Sequence, residues 1–137
     1  MNKILKQLTN NMMLLNPPTT REIINEVEVK LEMKLPEQYV EFMLEYNGAE
    51  GQIGSSSYLA IWSIEQLVPL NEEYTVNEFT PGLVYFGSDG GGMAYAFDVR
   101  GSTISIVEFP FESIEIDDAK FCGNTFVEFL EYLYQHD

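Results

Sequence analysis

Side chains with reactive chemistry are few in this sequence. There is one histidine, His136, and one cysteine, Cys122. His136 is the penultimate residue, at a helix end expected to fray, whereas a Ser–His or Cys–His pair needs an ordered base. Cys122 has no cluster of ligands or bases near it, so it reads as a buried, inert thiol. A zinc site needs a Cys/His set that two such residues cannot supply. The run Gly87-Ser88-Asp89-Gly90-Gly91-Gly92 invites comparison with a phosphate loop but lacks the Gly-Lys-Ser/Thr of a nucleotide-binding loop. It leads into strand-like sequence and not a helix, and Asp89 would repel phosphate, so its glycines suit a tight or bulged turn. Glu72-Glu73, Glu112 with Glu115, and Asp117-Asp118 could hold a hard cation or act as acid and base. None has calcium-loop spacing, and among 22 acids close pairs arise by chance, so they read as solvated surface. No catalytic, cofactor-binding or metal-binding residue emerges, and no cofactor is expected.

The elements around these residues follow the order helix, sheet, helix. Residues 3–14 have helical character, with Ile4, Leu5 and Leu8 on one side, and Pro17-Pro18 ends them. Thr19-Thr20-Arg21-Glu22 reads as a capping box, followed by Ile23, Ile24, Val27 and Leu31 at helical spacing. Leu35-Pro36 starts a second helix carrying Tyr39, Phe42, Met43 and Tyr46, which Asn47-Gly48 stops. The period then changes. Tyr58–Trp62 reads as a strand, 63–67 as a short helix or turn stopped near Pro69, and 71–82 as an acidic excursion. Strands over Leu83–Phe86, Met93–Phe97 and Thr103–Phe109, joined by turns at 87–92 and 98–101, predict an antiparallel meander. A closing helix starts near Asn124-Thr125, with Thr125 and Glu128 as a capping box and Phe126, Phe129, Leu130 and Leu133 on one face. The expected class is α+β: an antiparallel sheet of mixed strand length with helices packed on one face.

With 137 residues, 45% of them hydrophobic and 21% charged, the chain suits one folded domain over 1–137, with residues 1–18 as an N-terminal extension. The net charge is −15, unevenly spread. Residues 1–34 hold five cations and four acids, whereas residues 35–137 hold two cations, Arg100 and Lys120, and 18 acids. That balance excludes a phosphate-reading nucleic-acid binder and argues against docking on anionic lipid. On composition alone the favoured reading is solubility of a small charged domain, and the sharper one is a basic partner attracted by steering. The longest apolar runs, Tyr58–Trp62 and Met93–Phe97, are far too short for a membrane span. With no secretory signal and no cysteine pair, the expected location is the cytoplasm.

Three stretches in order resemble the SUKH superfamily, which includes a yeast cell-wall-assembly regulator and many bacterial immunity proteins. The first is Leu35-Pro36-Glu37-Gln38-Tyr39 through Phe42-Met43 to Tyr46-Asn47-Gly48, preceded by the helix bearing Ile23, Ile24 and Val27. The second is Phe86–Gly92 followed by Tyr95-Ala96-Phe97-Asp98, similar to the family's glycine-bearing hairpin. The third is Phe126-Val127-Glu128-Phe129-Leu130, like its closing helix. Between them, Ile61–Leu67 resembles the link from the first strand to a short helix.

The resemblance implies a protein-binding module and not an enzyme: an antidote that binds and neutralises a toxin, often a nuclease, passed between cells. It brings no catalytic residues, and its matched motifs shape backbone or fill core. A nuclease must be basic around its cleft, so an acidic protein could occupy that cleft as a mimic. The expected contact residues are acids near the sheet turns and the 71–82 excursion, Glu50, Glu72, Glu73, Glu78 and Asp89, with Tyr58, Trp62 and Tyr74 as aromatic anchors. Two rivals stay open. A regulator or scaffold of the same family would have several weak partners. A carboxylate-based enzyme or small-ligand binder would need a deep pocket lined by at least two close acids.

Overall fold

A computed structural model describes residues 2–135 of the chain, so His136 lies outside the described residues. The sheet has seven strands: β1 (Leu14–Leu15), β2 (Ala49–Ile53), β3 (Ser57–Ile61), β4 (Leu83–Ser88), β5 (Met93–Asp98), β6 (Ser105–Pro110) and β7 (Lys120–Gly123). They run in sequence order, every neighbour antiparallel. The three-strand meander read from the sequence is therefore β4–β6 of a longer one. β2 is Ala-Glu-Gly-Gln-Ile, weak in strand propensity, and is held by five register pairs to β3.

The helices are α1 (Lys3–Thr9), α2 (Arg21–Leu31), α3 (Glu37–Glu45), α4 (Leu67–Glu73), α5 (Val76–Phe79) and α6 (Phe126–Gln135). Several boundaries differ from expectation, each for a local reason. α1 stops at Thr9, where the hydroxyl turns back onto the Leu5 carbonyl (2.9 Å), well before Pro17. Thr20, not Thr19, caps α2, its hydroxyl accepting from the Ile23 N–H (3.2 Å), while Thr19 is buried. Pro36 is the residue before α3 and not its first member. A 3₁₀ turn at Ile64–Gln66 runs straight into α4, which passes through Pro69 instead of stopping there. Pro69 is the third residue of α4, within the first turn, where a missing N–H costs little. The acidic excursion is thus largely α4 and α5. At α6 half of the expected box forms: Thr125 accepts from the Glu128 N–H (3.1 Å), but the Glu128 carboxylate accepts from the N–H of Asn124 (3.0 Å), the residue before the cap.

Alternation along the strands divides the interior in two. One face carries Leu59, Ile61, Phe86, Tyr95, Phe97 and Ile106 against buried residues of α1, α2, α3 and α6. Phe86 stacks on Phe97 at 4.4 Å between ring centroids, and Tyr39, Phe126 and Phe129 close on Phe86 edge-on. The other face carries Leu83, Tyr85, Ala94, Ala96, Val107 and Phe109, covered by Val76 of α5 with Trp62, Phe111, Ile116 and Ala119. The class is α+β, with α1, α2, α3 and α6 on one face, Leu67 of α4 joining them and Val76 of α5 reaching the second cluster.

The seam between β3 and β4 is short: only Ala60 with Ser88 and Ile61 with Gly87 are in register. A Cβ on Gly87 would run into the Ala60 carbonyl oxygen, so glycine is required for this approach. Beyond the seam the chain after β3 leaves the sheet, and a side chain takes the place of a neighbouring strand. Asn71 Oδ1 accepts from the Tyr85 N–H (2.8 Å) and its Nδ2 donates to the Tyr85 carbonyl (2.9 Å), as a neighbouring strand would. Replacing Asn71 by alanine leaves both backbone groups of Tyr85 unpaired. Urea denaturation should show a loss of about 2–4 kcal/mol. A loss below about 0.5 kcal/mol would mean that water serves those groups equally well.

Cys122 is buried, as expected, and burial first of all pushes its thiol up to about 12. The folded state therefore holds its proton to higher pH than the unfolded chain, and the contribution is lost as pH rises from about 8.5 towards that value. Iodoacetamide at about pH 8.5 should alkylate native Cys122 far more slowly than the urea-unfolded chain, by roughly a hundredfold. Equal rates would place the thiol at the surface.

Candidate functional site

Where β3 departs from β4, the chain builds an aromatic band. Trp62 follows β3 directly, its N–H still bonded to the Phe86 carbonyl (3.0 Å). Tyr74 ends α4. Its ring lies nearly parallel to Trp62 (6.5 Å, 15°) and close to Phe111 (4.8 Å), which follows β6. The next residue, Thr75, has φ of +52°, an uncommon conformation for a β-branched residue, and turns the chain sharply from α4 into α5. Ring contacts with Tyr85 (6.0 Å) and Phe111 (4.8 Å) hold Tyr74 over the second cluster.

Three adjoining hollows follow the band. The first, about 340 Å³, is lined by Leu14, Asn16, Glu50, Trp62, Ser88 and Gly90 among others. The second, about 470 Å³, shares Trp62, Ser88 and Gly90 with it and adds Tyr74, Phe111 and Glu112. The third, about 160 Å³, continues from Tyr74, Phe111 and Glu112 to Phe79 and Ile114. Tyr74, Phe79 and Ile114 are 42%, 45% and 59% exposed, a concentration of apolar surface at one place.

Two hydrogen-bonded devices shape the first hollow. The Tyr58 hydroxyl donates to the Glu50 carboxylate across β3 and β2. That bond, more than burial, raises the phenol above its ordinary value, because ionising it would set a second negative charge beside Glu50. The Tyr58 ring also lies against Gly90, which has φ of +81° and where a Cβ would stand 2.8 Å from the ring. Asn47 is the second device. Its Oδ1 accepts from the Ile64 N–H (2.8 Å), its Nδ2 donates to Glu65 (2.7 Å), and its carbonyl accepts from Asn16 (3.0 Å). One side chain thus ties the end of α3 to the 3₁₀ turn after Trp62.

Asp89 stabilises the β4–β5 turn, accepting from the N–H groups of Gly91 (2.8 Å) and Met93 (3.1 Å). Its first task is therefore in the turn. Of the residues singled out in the sequence, Glu50, Tyr58, Trp62, Tyr74 and Asp89 come together along this band. Glu72 and Glu73 are exposed at the end of α4 beside Tyr74, and Glu78 is exposed on α5; none of the three lines a hollow. Sequence reasoning missed Phe79, Phe111 and Ile114 and placed Glu112 with the general surface. The signal available was Phe109-Pro110-Phe111, where the proline marks the end of the strand and lets the next ring turn outward.

Only Glu50 among the acids lines the first hollow, and only Glu112 lines the other two. None of the three hollows is therefore lined by the two close acids that a carboxylate-based site would need. No group of three or more His, Cys, Asp or Glu among the described residues could hold a metal ion, and no described helix is long and apolar enough to cross a membrane. What the band offers is an aromatic, acid-rimmed surface of the kind that protein interfaces use. A family model, described as the SMI1/KNR4 family (SUKH-1), matches residues 18–132. No curated protein matches the chain.

Proposed function

This chain belongs to the SMI1/KNR4 family (SUKH-1), and on that premise we propose that it neutralises a basic toxin domain by covering the toxin's cleft with its acidic, aromatic face. At family level the role is protein binding, as immunity or regulatory proteins, and the family is in general non-catalytic. The observation that carries the finer reading is the band itself: Trp62, Tyr74 and Phe111 packed together and rimmed by carboxylates, on a part of the chain with two cations against 18 acids. Rigid aromatic anchors supply affinity at low entropic cost, while the field supplies approach rate. A nuclease toxin presents the complementary surface, because its cleft must attract phosphate.

The test is capture from the source cell at low and high salt, followed by an activity assay of whatever is captured. One stoichiometric basic domain, toxic alone and silenced by an equimolar amount of this chain, supports the proposal. Several weak partners with no toxicity would favour the regulatory role instead. Association should slow with salt, and reversing Glu72 and Glu73 to lysine should lower the on-rate by roughly three- to tenfold while the off-rate changes little. An unchanged on-rate would remove these two acids from the approach path.

A further inference from the structure

We propose that the occupant of the aromatic band is an extended, arginine-bearing segment of the partner, its guanidinium seated against Trp62, Tyr74 and Phe111 and its neighbouring charge met by Glu112 and Glu50. This rests on the basic protein partner argued above and specifies the chemistry that partner must present. The band is elongated, three hollows joined through shared walls, which fits a chain lying along it better than a single inserted side chain. No lysine or arginine lines any of the three hollows. The two cations that follow Lys34 are committed elsewhere. Arg100 grips Asp98 through Nε (3.0 Å) and a terminal nitrogen (2.8 Å), and Lys120 stands 3.8 Å from Glu108 and over the Tyr132 ring. The rings of the band, Tyr74 exposed and Trp62 and Phe111 half-buried, therefore share their hollows with carboxylates and with no internal cation, and the charge they lack is positive.

Arginine suits the site better than lysine for two reasons. Its planar, weakly hydrated guanidinium stacks on aromatic faces, and it can pair with a carboxylate through two hydrogen bonds at once. A lysine ammonium keeps its water and offers a point charge. The glycines of the β4–β5 turn leave room for such a segment. A Cβ at Gly92 would meet nothing within 4 Å, and one at Gly91 would meet only the Asp89 carboxylate. Backbone at the edge of the second hollow is thus bare and approachable.

Trp62 is the one tryptophan of the chain, so intrinsic fluorescence reports from the middle of the site. Three short synthetic peptides serve as probes, alternating glycine with arginine, with lysine or with glutamate, titrated at low salt. The arginine peptide should shift Trp62 emission saturably and bind at least about threefold tighter than the lysine peptide, and the glutamate peptide should not bind. Glu50→Lys with Glu112→Lys, both at exposed positions, should cut the arginine peptide's affinity by roughly tenfold and leave the melting temperature unchanged. Equal titration by arginine and lysine peptides, an unmoved emission spectrum, or indifference to the charge reversals would each overturn the proposal. The two levels fail separately. A toxin bound and silenced equally well by the Glu50→Lys/Glu112→Lys protein removes this site and leaves the toxin reading. Arginine-peptide binding without any captured toxin does the reverse.

Discussion

Substituting Trp62 and Tyr74 together by serine is expected to weaken binding of the protein partner by more than about 2 kcal/mol, roughly thirtyfold, chiefly through faster dissociation. The two rings lie nearly parallel, and Tyr74 also rests on Phe111 and Tyr85, so the pair is held in place before any partner arrives. Preorganised aromatic anchors at the centre of an interface dominate affinity, whereas acids at its rim act mainly on approach. The expected signature is therefore divided: the serine pair moves the off-rate, and Glu72→Lys/Glu73→Lys moves the on-rate. Trp62 also packs against both interior clusters, so its loss lowers stability as well. Tyr74→Ser alone, at a residue 42% exposed, separates the two effects, since it should weaken binding while the melting temperature shifts by only a few degrees. An affinity unchanged in the Tyr74→Ser protein, measured by surface plasmon resonance, would place the interface elsewhere on the molecule.

Replacing Phe86 by alanine is expected to lower the folding free energy by about 3–5 kcal/mol. Phe86 is fully buried, stacked on Phe97 and enclosed by Tyr39, Phe126 and Phe129. The cavity left by its ring would be walled by side chains from α3, β5 and α6, which cannot all relax into it. The loss should be visible as a lower urea midpoint with an unchanged slope. Partner binding by the fraction that stays folded should be nearly unaffected, because the Phe86 ring faces away from the band even though its carbonyl holds the Trp62 N–H. A loss below about 1.5 kcal/mol would mean that the aromatic cluster repacks freely.

Much of this molecule was legible in one dimension. The capped helices α2, α3 and α6 announce themselves by apolar residues at helical spacing, and the β4–β6 meander by short apolar strands between turn residues, because both signals act within a few residues of one another. The charge asymmetry is likewise a property of composition, and with it the expectation of a basic partner. The strands β1, β2 and β7 were not legible. Ala49-Glu50-Gly51-Gln52-Ile53 becomes a strand because β3 supplies five register partners, not because its residues prefer to be extended. Nor could the sequence foretell that the Asn71 side chain would stand in for a strand beside Tyr85.

The site divides along the same line. The types of its residues were readable: acids near the turns, and a tryptophan and tyrosines whose burial the sequence left open. Their assembly was not. Trp62, Tyr74 and Phe111 come from the ends of β3, α4 and β6 and meet because the chain leaves the β4 edge after two register pairs, opening a gap beside Tyr85 that Asn71 of α4 fills. Glu50 is held at the rim by a tyrosine from the neighbouring strand. Sequence alone determined what this protein carries, a strongly acidic α+β scaffold with one histidine and one cysteine, because composition and local periodicity need no third dimension. Tertiary structure alone decided where those groups converge, because convergence depends on strand register and on the point at which two strands part, and both are set by packing between residues distant in the chain.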